Sequence, residues 1–197
     1  MSLVSIISMI LAGILTENIV FSQSLGICPF LGVSKKTDSA VSMGIAVTFV
    51  LLLASLVCYV IYNYLLVPFK IEYLQTITFI LIIAVLVQVL DIVLKKVSPS
   101  LYNALGVYLA LITTNCAVLG TANNVISNGF TVLQTLIHSV SVGLGFTLAL
   151  ILMACVREKM ERNEKIPRFF KGLPIALITA GLMAMAFVGF SGFTIGG

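Results

Sequence analysis

The sequence predicts an all-α integral membrane protein in which six transmembrane helices form two inverted three-helix repeats. Of the 197 residues, 60% are hydrophobic and only 9% are charged, which leaves too few polar side chains to cover a water-soluble domain. The apolar residues fall into long runs, and a helix needs about 20 such residues to cross a bilayer. The motif Cys-x-x-Leu-Gly occurs twice, at Cys28 and at Cys116, which indicates an internal repeat.

The apolar runs are predicted to be helices because a backbone inside lipid must form its hydrogen bonds internally. A β-barrel would need alternating polar positions, and the runs lack them. Helices 1 to 6 are predicted at about residues 3–24, 39–67, 74–94, 101–113, 130–156 and 173–190. Residues 121–129 are predicted to connect helices 4 and 5. The chain is treated as a single membrane domain over residues 1–197, with repeats of about residues 1–98 and 99–197.

Helices 1 and 4 are predicted to be broken, and each break carries a cysteine. After helix 1 the apolar character continues to Val33, too far for one straight helix in a bilayer about 30 Å thick. Glycine and proline favour a break between Gly26 and Pro29. In helix 4 the break falls at residues 113–116. Backbone groups freed by such breaks line a site within the protein, so Cys28 and Cys116 are expected to face each other near the membrane midplane.

The basic residues predict the orientation of the chain. The loops after helices 1, 3 and 5 carry ten of the 11 Lys and Arg residues. Because positive charge is concentrated on the cytoplasmic side, these three loops are expected in the cytoplasm and both termini outside. Each repeat has three helices, an odd number, so the second repeat enters the membrane from the side opposite the first. The two repeats are therefore expected to be inverted.

Two thiols at facing breaks suggest a redox site. Thiolates are soft ligands that suit iron-sulfur clusters or zinc, whereas they suit Na⁺ poorly. A [2Fe-2S] or [4Fe-4S] cluster normally needs four protein ligands, so Cys28 and Cys116 would supply half of them and a second chain the remainder. The alternative is that both cysteines are small buried hydrophobic residues. The spacing of the residues alone leaves both interpretations open.

Further candidates lie beside these breaks. Glu17 and Asn18 interrupt the first apolar segment, where polar groups usually face the protein interior; they are candidates for an ion path or a partner contact, with structural hydrogen bonding as the alternative. Four residues near the thiols are expected to shape the ligand loops and to offer N–H groups to cluster sulfurs, with helix packing as the alternative. These residues are Pro29, Gly32, Asn115 and Gly120.

The remaining polar residues favour structural roles. His138 lies among apolar residues and is expected to be a satisfied core group. Cys58 and Cys155 lack the break motif and are expected to be structural. The charged loop at residues 157–171 is expected to set topology and to contact anionic lipid head groups; the alternative is that it docks a cytosolic protein of the same complex. Small residues from Ser139 to Gly145 favour close helix packing.

Several motifs resemble those of one family, the A subunits of Rnf complexes. They cover residues 17–18, 25–36, 102–106, 111–120, 156–159 and 176–183. The E subunit of the Na⁺-translocating NADH:quinone reductase is a close cousin and the alternative within the family. The segments 28–30 and 114–120 look like the Rnf version. Ala110 stands where the family usually has proline, so helix 4 is expected to be less kinked.

The resemblance implies a bacterial inner-membrane protein that pairs with a homologous membrane subunit of opposite topology (RnfE-like). Cys28 and Cys116, with two cysteines of that partner, would hold a [2Fe-2S] cluster within the membrane. The complex would couple electron flow between ferredoxin and NAD⁺ to Na⁺ or H⁺ movement, with flavins and further clusters on other subunits and no role for nucleic acid. The alternative from another class is a secondary carrier without a redox centre.

Overall fold

The computed structural model describes residues 3–34, 36–69, 72–97, 111–112, 114–162, 167 and 171–190. Within this part of the chain the regular structure is helical and no strand occurs. Its α-helices of seven residues or more are α1 (Leu3–Leu11), α2 (Ile27–Val33), α3 (Thr37–Ile61), α4 (Gln75–Val97), α5 (Cys116–Ser127), α6 (Val132–Glu161) and α7 (Leu173–Val188). The all-helical prediction is confirmed for these residues.

Three of the described helical segments are long and apolar enough to cross a membrane: Thr37–Leu66, Gln75–Val93 and Val132–Glu161. They correspond to predicted helices 2, 3 and 5. Two shorter apolar helices, Val4–Thr16 and Leu173–Val188, correspond to the start of helix 1 and to helix 6. Predicted helix 4, including Ala110, lies outside the described residues except for Leu111 and Ile112, so the six spans and the inverted repeat stay predictions.

Helix 1 is broken, but it ends earlier than predicted. A π-helical turn at Ala12–Thr16 closes α1, and residues 17–26 are not α-helical. The cause is Asn18, whose Oδ1 accepts the Val20 N–H at 3.1 Å and whose Nδ2 donates to the Ile14 carbonyl at 3.0 Å. Such side-chain bonds offer the backbone an alternative to the helix. The second limb, α2, begins after Gly26, and Pro29 lies in its first turn, a position that proline tolerates.

Residues 121–129 are not the predicted connection, because most of them belong to helix α5. This helix begins at Cys116, where the side chain of Asn115 caps it by accepting the Ala117 N–H at 3.0 Å. Capping of this kind stabilises a helix start. Thr121, a residue that the pattern placed in the connection, donates its hydroxyl back to the Ala117 carbonyl at 2.8 Å and so remains compatible with the helix.

Helix α6 continues to Glu161, five residues beyond the predicted end, so Arg157 is not in a loop. Arg157 is only 8% exposed, and its Nη1 donates to the Leu31 carbonyl at 2.7 Å and to the Ser34 hydroxyl at 3.0 Å. Glu158 Oε1 accepts bonds from the N–H and the hydroxyl of Thr37, both at 2.9 Å. These contacts hold the last turns of α6 against the end of α2 and the start of α3.

Helices α3 and α6 are antiparallel and pack through two matching glycine–threonine contacts. A Cβ on Gly44 would lie 2.5 Å from Thr147 Cγ2, and a Cβ on Gly143 would lie 2.5 Å from Thr48 Cγ2. In each contact, a threonine of one helix therefore packs against a glycine of the other. Small residues permit this close approach of helices in membranes. Buried Ser55 and Ser139 are hydrogen-bonded farther along the same contact, 2.5 Å apart.

Candidate functional site

The segment just before the first cysteine motif contacts the cysteine of the second motif. The backbone N–H of Gly26, two residues before Cys28, donates to the Sγ of Cys116 over 3.0 Å. Because consecutive Cα atoms are about 3.8 Å apart, the Cα of Cys28 lies within about 7.6 Å of the Cα of Gly26. The break after helix 1 and the start of α5 are thus neighbours although 90 residues separate Gly26 from Cys116.

Gly26 reaches this sulfur because it adopts a left-handed conformation, with φ of 77°. Residues with a Cβ rarely adopt this region. The surroundings also leave no room, since a Cβ on Gly26 would lie 2.7 Å from Phe146 Cε2 and 3.3 Å from Ala117 Cβ. The sequence pattern identified Gly26 only as a helix breaker; the use of its N–H toward Cys116 depends on tertiary contacts that no local signal contains.

The two thiols differ in exposure. Cys28, in the first turn of α2, is exposed, whereas Cys116, the first residue of α5, is partly buried. The exposed Cys28 is available to a group or partner that approaches from outside this chain. Within the described residues, no group of three or more His, Cys, Asp or Glu side chains is placed to hold a metal ion. A centre on these thiols would therefore need ligands from elsewhere.

Asn115 and Gly120 position Cys116. Asn115 is only 4% exposed and caps α5 through its Oδ1, while its Nδ2 has no hydrogen-bond partner in the described structure. Gly120 lies against Leu25, and a Cβ added to it would clash with Leu25 Cδ1. The glycine therefore permits α5 to approach the segment that leads into Gly26. This is a packing role, the alternative that the sequence left open for Gly120.

Pro29 and Gly32 contribute less to this arrangement. Pro29 is buried in the first turn of α2. Gly32 is exposed, and a Cβ added to it would meet no atom within 4 Å. Neither residue has a described hydrogen bond to Cys116, whereas Gly26 donates to its sulfur and Asn115 caps the helix that Cys116 begins.

Glu17 and Asn18 lie at the break that follows α1 and its π-helical turn. Asn18 is buried, and its Nδ2 donates to the Gly145 carbonyl at 2.9 Å as well as to Ile14. Gly145 is followed by Phe146, the residue that contacts Gly26. The amide of Asn18 is fully used in these bonds, which favours its structural interpretation. Glu17 is exposed, so its side chain remains accessible at the break.

His138, Cys58 and Cys155 stand apart from the thiol site. His138 is 6% exposed and packs edge-on against the Phe130 ring at 5.3 Å. It belongs to the core as predicted. Its Nε2 has no hydrogen-bond partner in the described part of the chain, so the expectation that all its hydrogen bonds are satisfied is wrong. Cys58 is buried in α3, and Cys155 is exposed on α6.

Comparison with known proteins identifies the family. Residues 6–194 match the family described as "Rnf-Nqr subunit, membrane protein". This chain belongs to the Rnf-Nqr family. The match spans nearly all of the 197 residues, and together with the long apolar helices it makes the chain a multi-pass membrane protein.

Three relatives of this chain are named as A subunits of ion-translocating complexes. The chain is 54% identical over 192 residues to the A subunit of the Na⁺-translocating ferredoxin:NAD⁺ oxidoreductase complex of Acetobacterium woodii, covering 98% of this chain and 100% of that protein. It is 47% identical over 192 residues to the A subunit of the ion-translocating oxidoreductase complex of Syntrophotalea carbinolica, covering 98% and 99%. Identity to the corresponding protein of Serratia proteamaculans is 50% over 179 residues, covering 91% and 92%. The resemblance noted from the motifs is confirmed.

This Rnf-Nqr protein also contains a connection that the sequence pattern missed. Arg157 joins α6 to the carbonyl of Leu31, a residue of the first Cys-x-x-Leu-Gly motif, and to Ser34. In the sequence, Arg157 directly follows a long apolar run, a pattern that predicts the start of a charged loop. The structure shows it instead as a buried group that holds the C-terminal end of the cysteine-bearing helix α2.

Proposed function

We propose that this chain is the A subunit of an ion-translocating ferredoxin:NAD⁺ oxidoreductase (Rnf) complex, in which it carries electrons across the membrane through a [2Fe-2S] cluster shared with a homologous partner. The observation that carries the proposal is the 3.0 Å bond from the Gly26 N–H, two residues before Cys28, to Cys116 Sγ. Relatives that share about half of its residues are named A subunits of such complexes.

The residues at the site fit half of such a cluster. Cys116 Sγ accepts a backbone N–H, the bond that stabilises negative charge on a ligand sulfur. Cys28 is exposed and therefore open to a partner's ligands. Since a [2Fe-2S] cluster takes four ligands, the partner would supply two cysteines. When bound, the cluster supplies a one-electron carrier within the membrane.

The inverted-repeat architecture is part of this proposal. Support comes from the α3–α6 contact, in which Gly44 receives Thr147 and Gly143 receives Thr48. Both helices carry the same pattern, Gly-x-x-x-Thr, at matching places in an antiparallel pair. A pseudo-two-fold axis through this contact would exchange the two helices, as an inverted repeat requires.

Cation movement would involve the break at residues 17–18. Glu17 is exposed there, and an ionisable residue within a membrane segment usually meets a cation path or a partner. Asn18 would hold the break open through its bonds to Ile14 and Gly145. The transported ion, Na⁺ or H⁺, is cargo of the complex and not a resident group of this site.

The experiment that tests the function measures iron. The complex is purified with all its subunits, and iron, acid-labile sulfide and the paramagnetic signal of the reduced membrane cluster are determined for wild type, Cys28→Ser and Cys116→Ser. Each ligand variant is expected to lose the membrane cluster and ferredoxin-linked NAD⁺ reduction. Cys155→Ser is the matched control, because Cys155 is exposed like Cys28 but lies outside the motif, and it should retain both.

Three results separate the alternatives. A membrane cluster and ferredoxin-linked activity that survive in both ligand variants would contradict the assignment of Cys28 and Cys116. A wild-type membrane domain without iron that transports a solute would favour a carrier. Co-purification with a quinone-reactive reductase instead of ferredoxin-linked subunits would identify the E subunit of the quinone-reductase cousin.

A further inference from the structure

A buried amide beside Cys116 has a donor group without an acceptor. The Nδ2 of Asn115 makes no hydrogen bond in the described structure, and the residue is 4% exposed. Its orientation is determined by the opposite end of the amide, because Oδ1 accepts the Ala117 N–H at 3.0 Å. Rotating the amide by 180° would place two donors against each other. The free end is therefore the NH₂ group, and buried donors of this kind almost always have a partner.

A second asparagine of the same chain shows that the turn itself does not require an unpaired donor. Asn18 Oδ1 also accepts the N–H two residues ahead, that of Val20, at 3.1 Å. Its Nδ2, however, donates to the carbonyls of Ile14 and Gly145. In the same turn, both ends of the Asn18 amide therefore have hydrogen-bond partners, whereas only Oδ1 of Asn115 has a described one. Asn115 also directly precedes Cys116 in the chain, whose sulfur accepts the Gly26 N–H.

We propose that the Asn115 Nδ2 donates a hydrogen bond to a sulfur atom of the cluster held by Cys28, Cys116 and the partner, and that it raises the reduction potential of that cluster. This inference rests on the proposed function. The reduced cluster carries one more negative charge than the oxidised cluster, and an N–H donor therefore stabilises the reduced form more. Hydrogen bonds to the sulfurs are an established means of setting cluster potentials.

The test compares Asn115→Ser and Asn115→Asp with wild type in the complete complex. Serine and aspartate both serve as N-cap residues, so the start of α5 is retained while the NH₂ group is removed. At the wild-type midpoint the ratio of reduced to oxidised cluster is expected to fall about tenfold in Asn115→Ser, a shift of about 59 mV for one electron, and further in Asn115→Asp because of its negative charge. Asn128→Ser, an exposed asparagine just after the other end of α5, is the control and should not change the ratio.

The measurement is an equilibrium redox titration followed by the paramagnetic signal of the membrane cluster. A cluster that is present in both variants with ratios within about twofold of wild type would overturn the role of Asn115 and leave the proposed function intact. A wild-type complex without this cluster would instead refute the proposed function, and with it this inference.

Isotope labelling keeps the inference testable if the variants fail to retain the cluster. Wild-type complex with ¹⁵N only in asparagine side-chain amides is reduced, and the magnetic coupling between the cluster electron and ¹⁵N is recorded. A coupled ¹⁵N is expected from Asn115, and omitting the label from the partner during reconstitution assigns it to this chain. No coupled ¹⁵N from this chain would overturn the proposal.

Discussion

At the scale of single residues, Gly26 forms the contact between the segment before Cys28 and the start of α5. Its φ of 77° directs the N–H toward Cys116 Sγ, and its missing side chain leaves room for Phe146 and Ala117. The left-handed backbone and the close contacts are two separate reasons why this position requires glycine. Glycine is the only residue that meets both without strain, so substitution at this position tests the geometry of the site directly.

Gly26→Ala is expected to lower both the thermal stability and the iron content of the purified complex. The left-handed backbone alone costs about 1–2 kcal/mol with a Cβ, and the added carbon would lie 2.7 Å from Phe146 Cε2. Gly129→Ala is the matched control, because Gly129 also has positive φ, 62°, but no atom within 4 Å of an added Cβ. It should lose stability moderately and keep its iron. Equal iron loss in both variants would show that the contact at Gly26 is irrelevant.

At the scale of elements, α6 is the helix against which the rest of the described site is arranged. Gly145 accepts a bond from Asn18 at the break, Phe146 contacts Gly26, and Arg157 holds the end of α2. In its contact with α3, a glycine of each helix packs against a threonine of the other. Packing in membranes relies on such close approach because lipid tails are as apolar as the side chains.

Gly143→Ala is expected to destabilise the protein by about 1–3 kcal/mol, the usual cost of overpacking a core. The added Cβ would lie 2.5 Å from Thr48 Cγ2, and Thr48→Ala should relieve part of the clash. Thermal unfolding of the two single variants and the double variant should therefore show less destabilisation in the double variant than the sum of the single effects.

Gly181→Ala is the control for that experiment, since an added Cβ at Gly181 meets no atom within 4 Å. Its stability should be near that of wild type or slightly higher, because alanine favours a helix over glycine. Strict additivity of Gly143→Ala and Thr48→Ala would mean that these residues do not restrain the α3–α6 distance.

At the scale of the whole molecule, the start of α3 and the end of α6 lie at the same end of the helix bundle. The bonds from Thr37 to Glu158 show this directly. Lys36 and Lys159, the chain neighbours of these two residues, therefore lie at the same end, and the positive-inside rule predicts that this end faces the cytoplasm. Asn128, just before α6 begins, is at the opposite end of that 30-residue helix.

A thiol-labelling experiment in cells tests the predicted sidedness. Lys36→Cys and Lys171→Cys are expected to react with an impermeant maleimide only after the membrane is opened, and Asn128→Cys is expected to react in intact cells. Cys155→Ser is introduced in all three, because Cys155 is exposed and would add background labelling; the Cys155→Ser protein alone gives the background from Cys28, which is also exposed. Reaction of Lys36→Cys in intact cells would place the first loop outside and reverse the orientation.

Much of the architecture was predictable from the sequence because it depends on composition along the chain. Long apolar runs predicted the helices now described at Thr37–Leu66, Gln75–Val93 and Val132–Glu161. Glycine and proline near Cys28 predicted that the first apolar segment is interrupted. The ends of elements were less predictable. Asn18 ends the first helix early. Asn115 begins α5 at the predicted break, and this helix continues through most of the predicted connection. Each outcome depends on which backbone group a short polar side chain binds.

The sequence by itself determined that this chain is a helical membrane protein with two cysteine motifs at interrupted segments, since hydropathy and helix-breaking residues act locally. Only the tertiary structure decided that the Gly26 N–H binds the Cys116 sulfur, that Arg157 is buried against Leu31 and that the Asn115 amide has a donor without a partner among the described residues. The contacts of Gly26 and Arg157 join residues 90 and 126 positions apart, and the free donor reflects which acceptors the folded chain places around Asn115. Local patterns do not specify which distant groups folding brings within hydrogen-bonding distance.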